Sequence, residues 1–540
     1  MRRTANQASL WAPLRRPLYR ALWIAQMGAN IGMWAQTVGA QWLMGDFTSG
    51  PLGVALVQAA VTVPMFLLVV PAGALGDILD RRRLLLVGRG VALVSAAGLA
   101  GLSTAGVVTP ALLLGMIGVL GVGQGLAAAP SAAIQPELVG LDEVTAAALL
   151  DGASFNLARA VGPALGGVLI AAAGPAATFA FNAVCISGVL LVLFAWSRPV
   201  DDRPLGAETM AGAVRAGGRY VRSAPLFGRV LGHILMFTVF ASGLWALLAV
   251  LARGPLRLSA AGYGLLLGCL GLGAVACAMA LPRARRHLCP GRLVACGAAA
   301  YAGCLAVLSF VTWLPIVVAA LAMAGAAWVG VQATFTSTAQ LLLPEWTRAR
   351  ALGYFQLALT AGQAGGALLW GAVAELLGLT AAFLVPSVCL LVGTALAGRF
   401  LPLPASPVNV SAIQHLPEPP EPGAQPQAGP VLVTVEWHVD PQHTAEFVAA
   451  MRPVGQARRR TGATLWGLFH DLEEPSLFLE TFTVASWREH LRQHTERGVM
   501  MDLETEVLAR RYLDPDRPPR VQHLIWAYSV DRQRGRGNDR

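Results

Sequence analysis

Charged side chains interrupt several long apolar stretches of this sequence. Arg159 and Asp151 share one stretch, whereas Asp46 and Glu375 lie near the ends of two others. A charge inside a lipid bilayer is costly and usually functional, and desolvation gives a carboxylate the raised pKa that suits a proton carrier. We predict that Arg159 contacts an anionic or polar substrate group. Asp151 is the first candidate for proton coupling, followed by Asp46 and Glu375, for which a plain interfacial position is the alternative.

Polar side chains also recur on single faces of the apolar stretches. In the first stretch, Asn30, Trp34, Thr37 and Gln41 are spaced i, i+4, i+7 and i+11. Such a stripe either lines a polar cavity or hydrogen-bonds to a neighbouring helix, and both interpretations stay open. The candidates for lining a substrate cavity are Asn30, Trp34, Gln41, Gln124, Asn156, Arg159, Gln332, Gln356 and Thr360.

The elements that carry these side chains have the composition of a membrane protein. The chain has 540 residues, 55% hydrophobic and 13% charged, with a mean hydropathy of +0.57. Soluble domains are about a quarter charged. Apolar runs long enough to cross a bilayer as helices are predicted at 18–45, 51–76, 84–106, 109–134, 144–173, 175–197, 226–252, 259–282, 291–312, 314–342, 349–376 and 378–401.

The basic charge indicates a membrane topology, not a nucleic-acid partner. All 40 basic residues are Arg, and the formal net charge is +10. Of the 25 Arg in 1–403, 22 fall on one side of the predicted spans, two in the loop at 253–258, and one is Arg159. The positive-inside rule places the Arg-rich side, with both termini, in the cytoplasm of a bacterial inner membrane.

The spans divide into two halves that resemble each other. Gly162, Gly167, Gly174 and Phe179 recur at a constant offset of 204 residues as Gly366, Gly371, Gly378 and Phe383. A duplicated six-helix unit predicts a 6+6 all-α membrane fold with parallel repeats. The predicted parts are an N-terminal half (1–197), a cytoplasmic loop (198–225), a C-terminal half (226–401), a Pro-rich linker (402–430), a cytoplasmic domain (431–530) and a basic tail (531–540).

The pattern after the linker is that of a soluble α+β domain. Alternation at 431–437 predicts a strand, and further strands are predicted at 464–470, 476–483 and 521–527. Helices are predicted at 441–459, 487–497 and 499–511. The order β-α-β-β-α-β is ferredoxin-like. His490 and His494, at i and i+4, could bind a metal, but a solvated helix face is the favoured interpretation.

A glycine- and arginine-rich motif separates the second and third predicted spans. Gly73, Asp77, Asp80, Arg81 and Arg82 belong to a run ending at position 83 that resembles the major facilitator signature GxLaDrxgRr. Ile78 stands where that family commonly has Arg. The resemblance implies a gating latch at the cytoplasmic end, in which Asp77 accepts hydrogen bonds at a helix N-terminus and the arginines pair with Asp80 or Glu137.

A second motif lies in the fifth predicted span. Gly162, Pro163, Gly166 and Gly167 are similar to the GPxxGG core of the antiporter motif of drug:proton antiporters, although Ala158 replaces an earlier Gly. Small residues at this spacing allow close helix packing, which is the alternative reason for the pattern. Together the two motifs favour export over uptake.

The whole chain resembles the transmembrane secretion effector branch of the major facilitators, which includes enterobactin-exporter-like proteins. The run at 487–494 resembles tails of that branch, and the tail fold is similar to antibiotic-biosynthesis monooxygenases. The resemblance implies proton-driven export of a siderophore-like or drug-like molecule, with no cofactor, metal or nucleic acid and no catalytic residues. The tail is a candidate for homodimerisation or regulation. The alternatives are a monooxygenase-like enzyme or a ligand sensor fused to the transporter.

Overall fold

A computed structural model describes residues 11–48, 50–78, 80–139, 143–196, 218, 220–404 and 428–526. Proline occupies the first position of many helices, where its missing N–H costs nothing. The helices before position 401 are α1 Pro17–Phe47, α2 Pro51–Ile78, α3 Arg81–Thr104, α4 Pro110–Val139, α5 Val144–Ala173, α6 Pro175–Ala195, α7 Pro225–Arg253, α8 Ala260–His287, α9 Pro290–Phe310, α10 Leu314–Leu341 and α11 Glu345–Phe400.

Several of these helices are apolar over a full bilayer thickness. Nine helical stretches in the described part of the chain are long and apolar enough to cross a membrane, and one of them covers 50 residues. That stretch belongs to α11, whose backbone leaves the helical region at Gly378 (φ 84°, ψ 167°). Gly174, between α5 and α6, has nearly the same backbone (φ 77°, ψ 175°). Glycine alone adopts such a positive φ readily. Gly174 and Gly378, which are 204 residues apart, therefore interrupt the helices in the same way.

The chain forms two compact units. The first comprises Met1–Gly206, Leu231–Thr336 and Phe355–Leu403. The second comprises Ala207–Val230, Ser337–Tyr354 and Pro404–Arg540. The second unit therefore contains the beginning of α7, the junction of α10 with α11, and everything that follows α11.

The C-terminal part of the second unit is a four-stranded antiparallel sheet covered on one face by helices. Its strands pair in the order β2-β3-β1-β4, and inward residues alternate with outward ones along β1 and β3. The first and last residues of all four strands lie within three residues of the predicted bounds. The elements are β1 Val431–His438, α12 Thr444–Thr461, β2 Leu465–His470, β3 Leu477–Val484, α13 Trp487–Arg492, α14 Met500–Arg510 and β4 Arg520–Ile525.

Helix α13 shows where the sequence interpretation fails. Its residue His490 is 1% exposed, so the prediction of a solvated histidine face is wrong. The ring lies 4.8 Å from that of His494 and 4.8 Å from that of His523, between centroids. β4 brings His523 to this face because it pairs with β1 beside Val433. Among the described residues, no group of three or more His, Cys, Asp or Glu side chains could hold a metal ion.

The buried histidine predicts that the C-terminal domain at 431–530, called the tail below, is sensitive to acid. Burial, with the neighbouring His494, lowers the pKa of His490 to about 4, whereas an unfolded histidine has a pKa of about 6.5. Between these values the unfolded chain binds the proton more readily, so stability falls as pH drops from 6.5 to 4, by about 3 kcal/mol in total. Urea unfolding of the tail, read by a hydrogen-exchange pulse at one fixed pH, measures this.

The control is a second histidine of the tail. His443→Phe removes an exposed histidine and should leave the pH slope unchanged, whereas His490→Phe should flatten it. Equal slopes in both variants and the wild type would contradict the prediction.

Candidate transport cavity

A central cavity of about 320 Å³ lies within the first unit. Residues from α1, α2, α4, α5, α7, α10 and α11 line it. Six of the predicted residues are among them, and two tryptophans that the prediction omitted complete its wall. The lining side chains relevant here are Trp34, Gln124, Arg159, Trp245, Trp328, Gln332, Gln356 and Thr360.

Arg159 is the charged group of this cavity. Its side chain is 8% exposed, and its guanidinium carbon lies 5.1 Å from the ring centroid of Trp245. The Nε and Nη2 groups are buried without a hydrogen-bond partner among the described residues. An aromatic face attracts a cation but leaves the N–H donors of a guanidinium unused. Those donors are therefore available to an anion or an acceptor in the cavity.

Aromatic rings pack on two sides of Trp245, the ring that lies against Arg159. Trp245 lies 5.8 Å from Trp34 and 5.7 Å from Trp328, between ring centroids. Trp34 also meets Phe155, one turn before Arg159, at 6.2 Å. Single tryptophans in apolar helices carry no periodic signal, which is why the sequence did not indicate Trp245 and Trp328.

A second cavity of about 340 Å³ lies beside the first. Asn30 and Asp151 line it, whereas Met33, Gln124 and Phe155 line both cavities. The Tyr19 hydroxyl donates to Asp151 Oδ1 at 3.3 Å. Asp151 is thus a cavity-facing carboxylate next to a phenol, the arrangement that proton coupling would need.

The other two coupling candidates lie away from both cavities. The Asp46 carboxylate accepts from Arg253 Nη2 at 2.7 Å, and Arg253 also lies 3.9 Å from the Trp42 ring centroid. The Glu375 carboxylate accepts from the backbone N–H of Leu52 at 3.5 Å. These contacts join α1 to α7 and α2 to α11, so both acids connect helices at one end of the first unit.

One cavity candidate, Gln41, has a different position from that expected. Gln41 is 2% exposed and does not line either described cavity. Its side chain accepts a hydrogen bond from the Tyr263 hydroxyl and donates one to the Trp245 carbonyl at 3.4 Å. It follows the alternative interpretation, hydrogen bonding between helices. The side chain of Asn156 lies outside the described residues.

The gating motif is described in part. The side chains of Gly73 and Asp77 lie outside the described residues, as does that of Glu137. Asp80 caps α3 by accepting from the Arg83 N–H at 3.0 Å. Arg82 donates to the Leu193 carbonyl at 2.9 Å and to that of Phe194 at 3.0 Å. These carbonyls lie at the α6 C-terminus, the negative end of its dipole. The pairing of the arginines with Asp80 or Glu137 stays a prediction, since the Glu137 side chain lies outside the described residues. Arg81, at the first position of α3, has interactions of its own.

The antiporter motif packs α5 against two helices. A Cβ at Gly162 would lie 2.6 Å from Trp34 Cβ, and one at Gly166 would lie 2.8 Å from the Ala35 carbonyl, both on α1. A Cβ at Gly167 would lie 2.7 Å from the carbonyl of Ala260 on α8. Every larger residue would therefore separate α5 from a neighbour. Pro163 lies within the helix, and its carbonyl approaches Gly264 of α8.

Comparisons with known proteins agree with this geometry. Residues 8–532 match the family model described as transmembrane secretion effector. The chain is 28% identical over 420 residues to the multidrug efflux pump Tap of Mycolicibacterium fortuitum, covering 72% of this chain and 96% of the pump. It is 27% identical over 287 residues to the enterobactin exporter EntS of Salmonella typhi, covering 52% of this chain and 66% of the exporter.

Solved structures show the same fold at low identity. A nucleoside transporter superposes with a TM-score of 0.58 at 11% identity, covering 71% of this chain and all of the transporter. A bacterial homologue of the lysosomal transporter Spinster superposes with a TM-score of 0.57 at 14% identity, covering 73% and 99%. This chain is therefore a multi-pass membrane transporter of the major facilitator type and not an enzyme, and it belongs to the transmembrane secretion effector family.

Proposed function

We propose that this protein exports a small siderophore-like or drug-like molecule by proton antiport with alternating access. The observation that carries the proposal is the central cavity, where Arg159 offers unused donors between aromatic walls. A cavity of this size and polarity suits a small molecule. The efflux pump and the enterobactin exporter to which the chain is similar support export as the direction.

The proposed membrane part has twelve spans in two halves of six. The break at Gly378 supports counting α11 as two spans. Glycines of α11 support the duplication, because Gly366 meets α7 at Val239 as Gly166 meets α1 at Ala35; the glycines are 200 residues apart and their partners 204. The asymmetry of 22 Arg against two supports cytoplasmic termini in the bacterial inner membrane. For the two halves, the linker and the C-terminal domain we keep the boundaries predicted from the sequence: 1–197, 226–401, 402–430 and 431–530.

One end of the first unit is proposed to be the outer gate. Its contacts are the Arg253–Asp46 ion pair, in which Asp46 is half-exposed, and the hydrogen bond from the Leu52 N–H of α2 to Glu375 of α11. Such pairs contribute little to stability, so a domain rotation could break them at small cost. The gating motif at 73–83 would then form the opposite, cytoplasmic latch.

Arg159 is expected to be essential for transport of the substrate. Arg159→Ala removes the donors of the central cavity, so gradient-driven uptake into inside-out vesicles should fall at least tenfold across a siderophore and drug panel. Arg257→Ala, at the exposed α7–α8 turn, is the matched control. Unchanged transport by the Arg159→Ala vesicles would exclude the site.

Asp151 is expected to couple transport to protons. An Asp151→Asn variant should lose accumulation under an imposed pH gradient but keep substrate exchange at equal pH, since binding does not need the proton. Glu143→Gln, whose carboxylate pairs with Arg16 at 2.9 Å and lines neither cavity, should keep both. Accumulation that ignores the gradient in the wild type would contradict proton antiport.

The tail is proposed to be a ferredoxin-like module on a proline-rich tether that regulates transport. The antiparallel order β2-β3-β1-β4 with helices on one face supports the fold. Regulation is favoured over enzymatic or sensing roles by contacts within the second unit. Arg460, paired with Asp502 at 2.5 Å, donates to the Ser223 carbonyl at 3.5 Å, just before α7. Tyr220 donates to the Leu342 carbonyl at 3.1 Å. The module therefore contacts a segment that begins a cavity-lining helix.

Arg460 is expected to hold the module on this segment. Arg460→Gln breaks a buried ion pair, so hydrogen exchange at 220–230 should accelerate and the transport rate should change. Arg510→Gln, which removes a half-exposed pair with Glu506, is the control and should alter neither. Identical exchange in both variants would argue against docking.

The tail is also proposed to form a homodimer. The sheet face opposite α12 presents Leu465 (71% exposed) and Phe469 (58% exposed), and an exposed apolar sheet face of this kind suits pairing with a second copy.

A further inference from the structure

Arg89 occupies a position that the topology signal does not explain. An arginine near the end of a span is expected to extend its charge toward water. Instead, Arg89 Nη2 donates to Gln26 Oε1 of α1 at 2.9 Å, and Gln26 in turn donates to Asn30 at 3.0 Å. The Nε group is buried without a hydrogen-bond partner among the described residues. Arg89 makes no ion pair with an acidic side chain among the described residues.

Close helix packing holds Arg89 in this position. A Cβ at Gly88 would lie 2.7 Å from the Gly123 carbonyl of α4. The next residue in each helix, Arg89 and Gln124, lines the second cavity. The cavity walls beside them are apolar and aromatic, with Trp23, Leu85 and Phe155. Its volume of about 340 Å³ is in the range of small-molecule sites.

We propose that the second cavity is a binding site for the anionic group of an aromatic substrate, with Arg89 as its anion-binding residue. A guanidinium binds a carboxylate through two parallel N–H donors, and the Nε of Arg89 is the donor left for it. This inference rests on the proposed function for one point, that the ligand is the exported substrate. It adds the substrate class and a second site.

The two cavities make a path with two guanidinium groups. They share Met33, Gln124 and Phe155, so the cavity of Arg89 adjoins the cavity of Arg159. Arg159 likewise has no acidic partner among the described side chains. Asp151 also lines the second cavity and would repel an anion while it is charged, so we expect the anion to bind at Arg89 when Asp151 carries a proton.

The test compares three probes of one shape and different charge. The full-length protein in lipid nanodiscs is titrated with 4-fluorobenzoate, 4-fluorobenzamide and 4-fluorobenzamidinium, and binding is followed by fluorine NMR line broadening. The wild type should bind the benzoate at least tenfold more tightly than the other two. Arg89→Gln should weaken benzoate binding at the second cavity at least tenfold and leave the amide unchanged.

Two further variants keep the test decisive. Arg89→Lys keeps the positive charge but not the paired N–H donors of the guanidinium, and it should retain part of the benzoate affinity. This variant also provides a test if Arg89→Gln fails to fold. Arg292→Gln, an exposed arginine at the start of α9, is the matched control and should bind as the wild type does. Benzoate affinity that is unchanged in both Arg89 variants, or preference for the benzamidinium, would overturn the proposal.

Transport measurements separate this inference from the proposed function. If wild-type vesicles show no gradient-driven accumulation but Arg89 still selects the benzoate, antiport fails and the anion site stands. If accumulation is gradient-driven but charge selectivity is absent, the anion site fails alone.

Discussion

The close approach of α5 to α1 and α8 is the constraint on which the membrane part depends. Gly162 and Gly166 leave no room for a side chain against α1, and Gly167 leaves none against α8. The same helix carries Arg159 into the central cavity and Asp151 into the second. A single packing requirement therefore sets the positions of both charged groups. It also explains a glycine-rich motif in purely steric terms, whatever its role in antiport.

The second consequence is electrostatic. A guanidinium in a membrane is costly without compensation. Within the part of the chain that the structure describes, Arg159 lies against the Trp245 ring and Arg89 donates to the Gln26 amide, and neither makes an ion pair with an acid. Neither arrangement favours stability, which argues that the compensation comes from a ligand. The contrast is Arg458 of the tail, whose ion pairs with Glu480 and Glu506 raise its pKa.

Composition and period predicted apolar helices of membrane-spanning length. Six of the polar and aromatic residues singled out line the central cavity, and their role in transport stays a prediction. The sequence could not predict features that depend on which neighbour a side chain meets. The topology prediction treated Arg89 as one of the charges that flank the spans, whereas its side chain turns inward and donates to Gln26 of α1. His490 matched a polar helix face, but β4 covers it. Arg82 donates to the end of α6, a partner that the motif alone does not indicate.

The central claim is that the cavity around Arg159 opens alternately to the two sides of the membrane. The most direct measurement is labelling of Gln332→Cys, in a background without the seven native cysteines, by a membrane-impermeant maleimide. Right-side-out and inside-out vesicles are compared with and without a pH gradient. The account predicts reaction from both sides, with the gradient changing the two rates in opposite directions. Reaction from one side only, or equal changes on both sides, would contradict it.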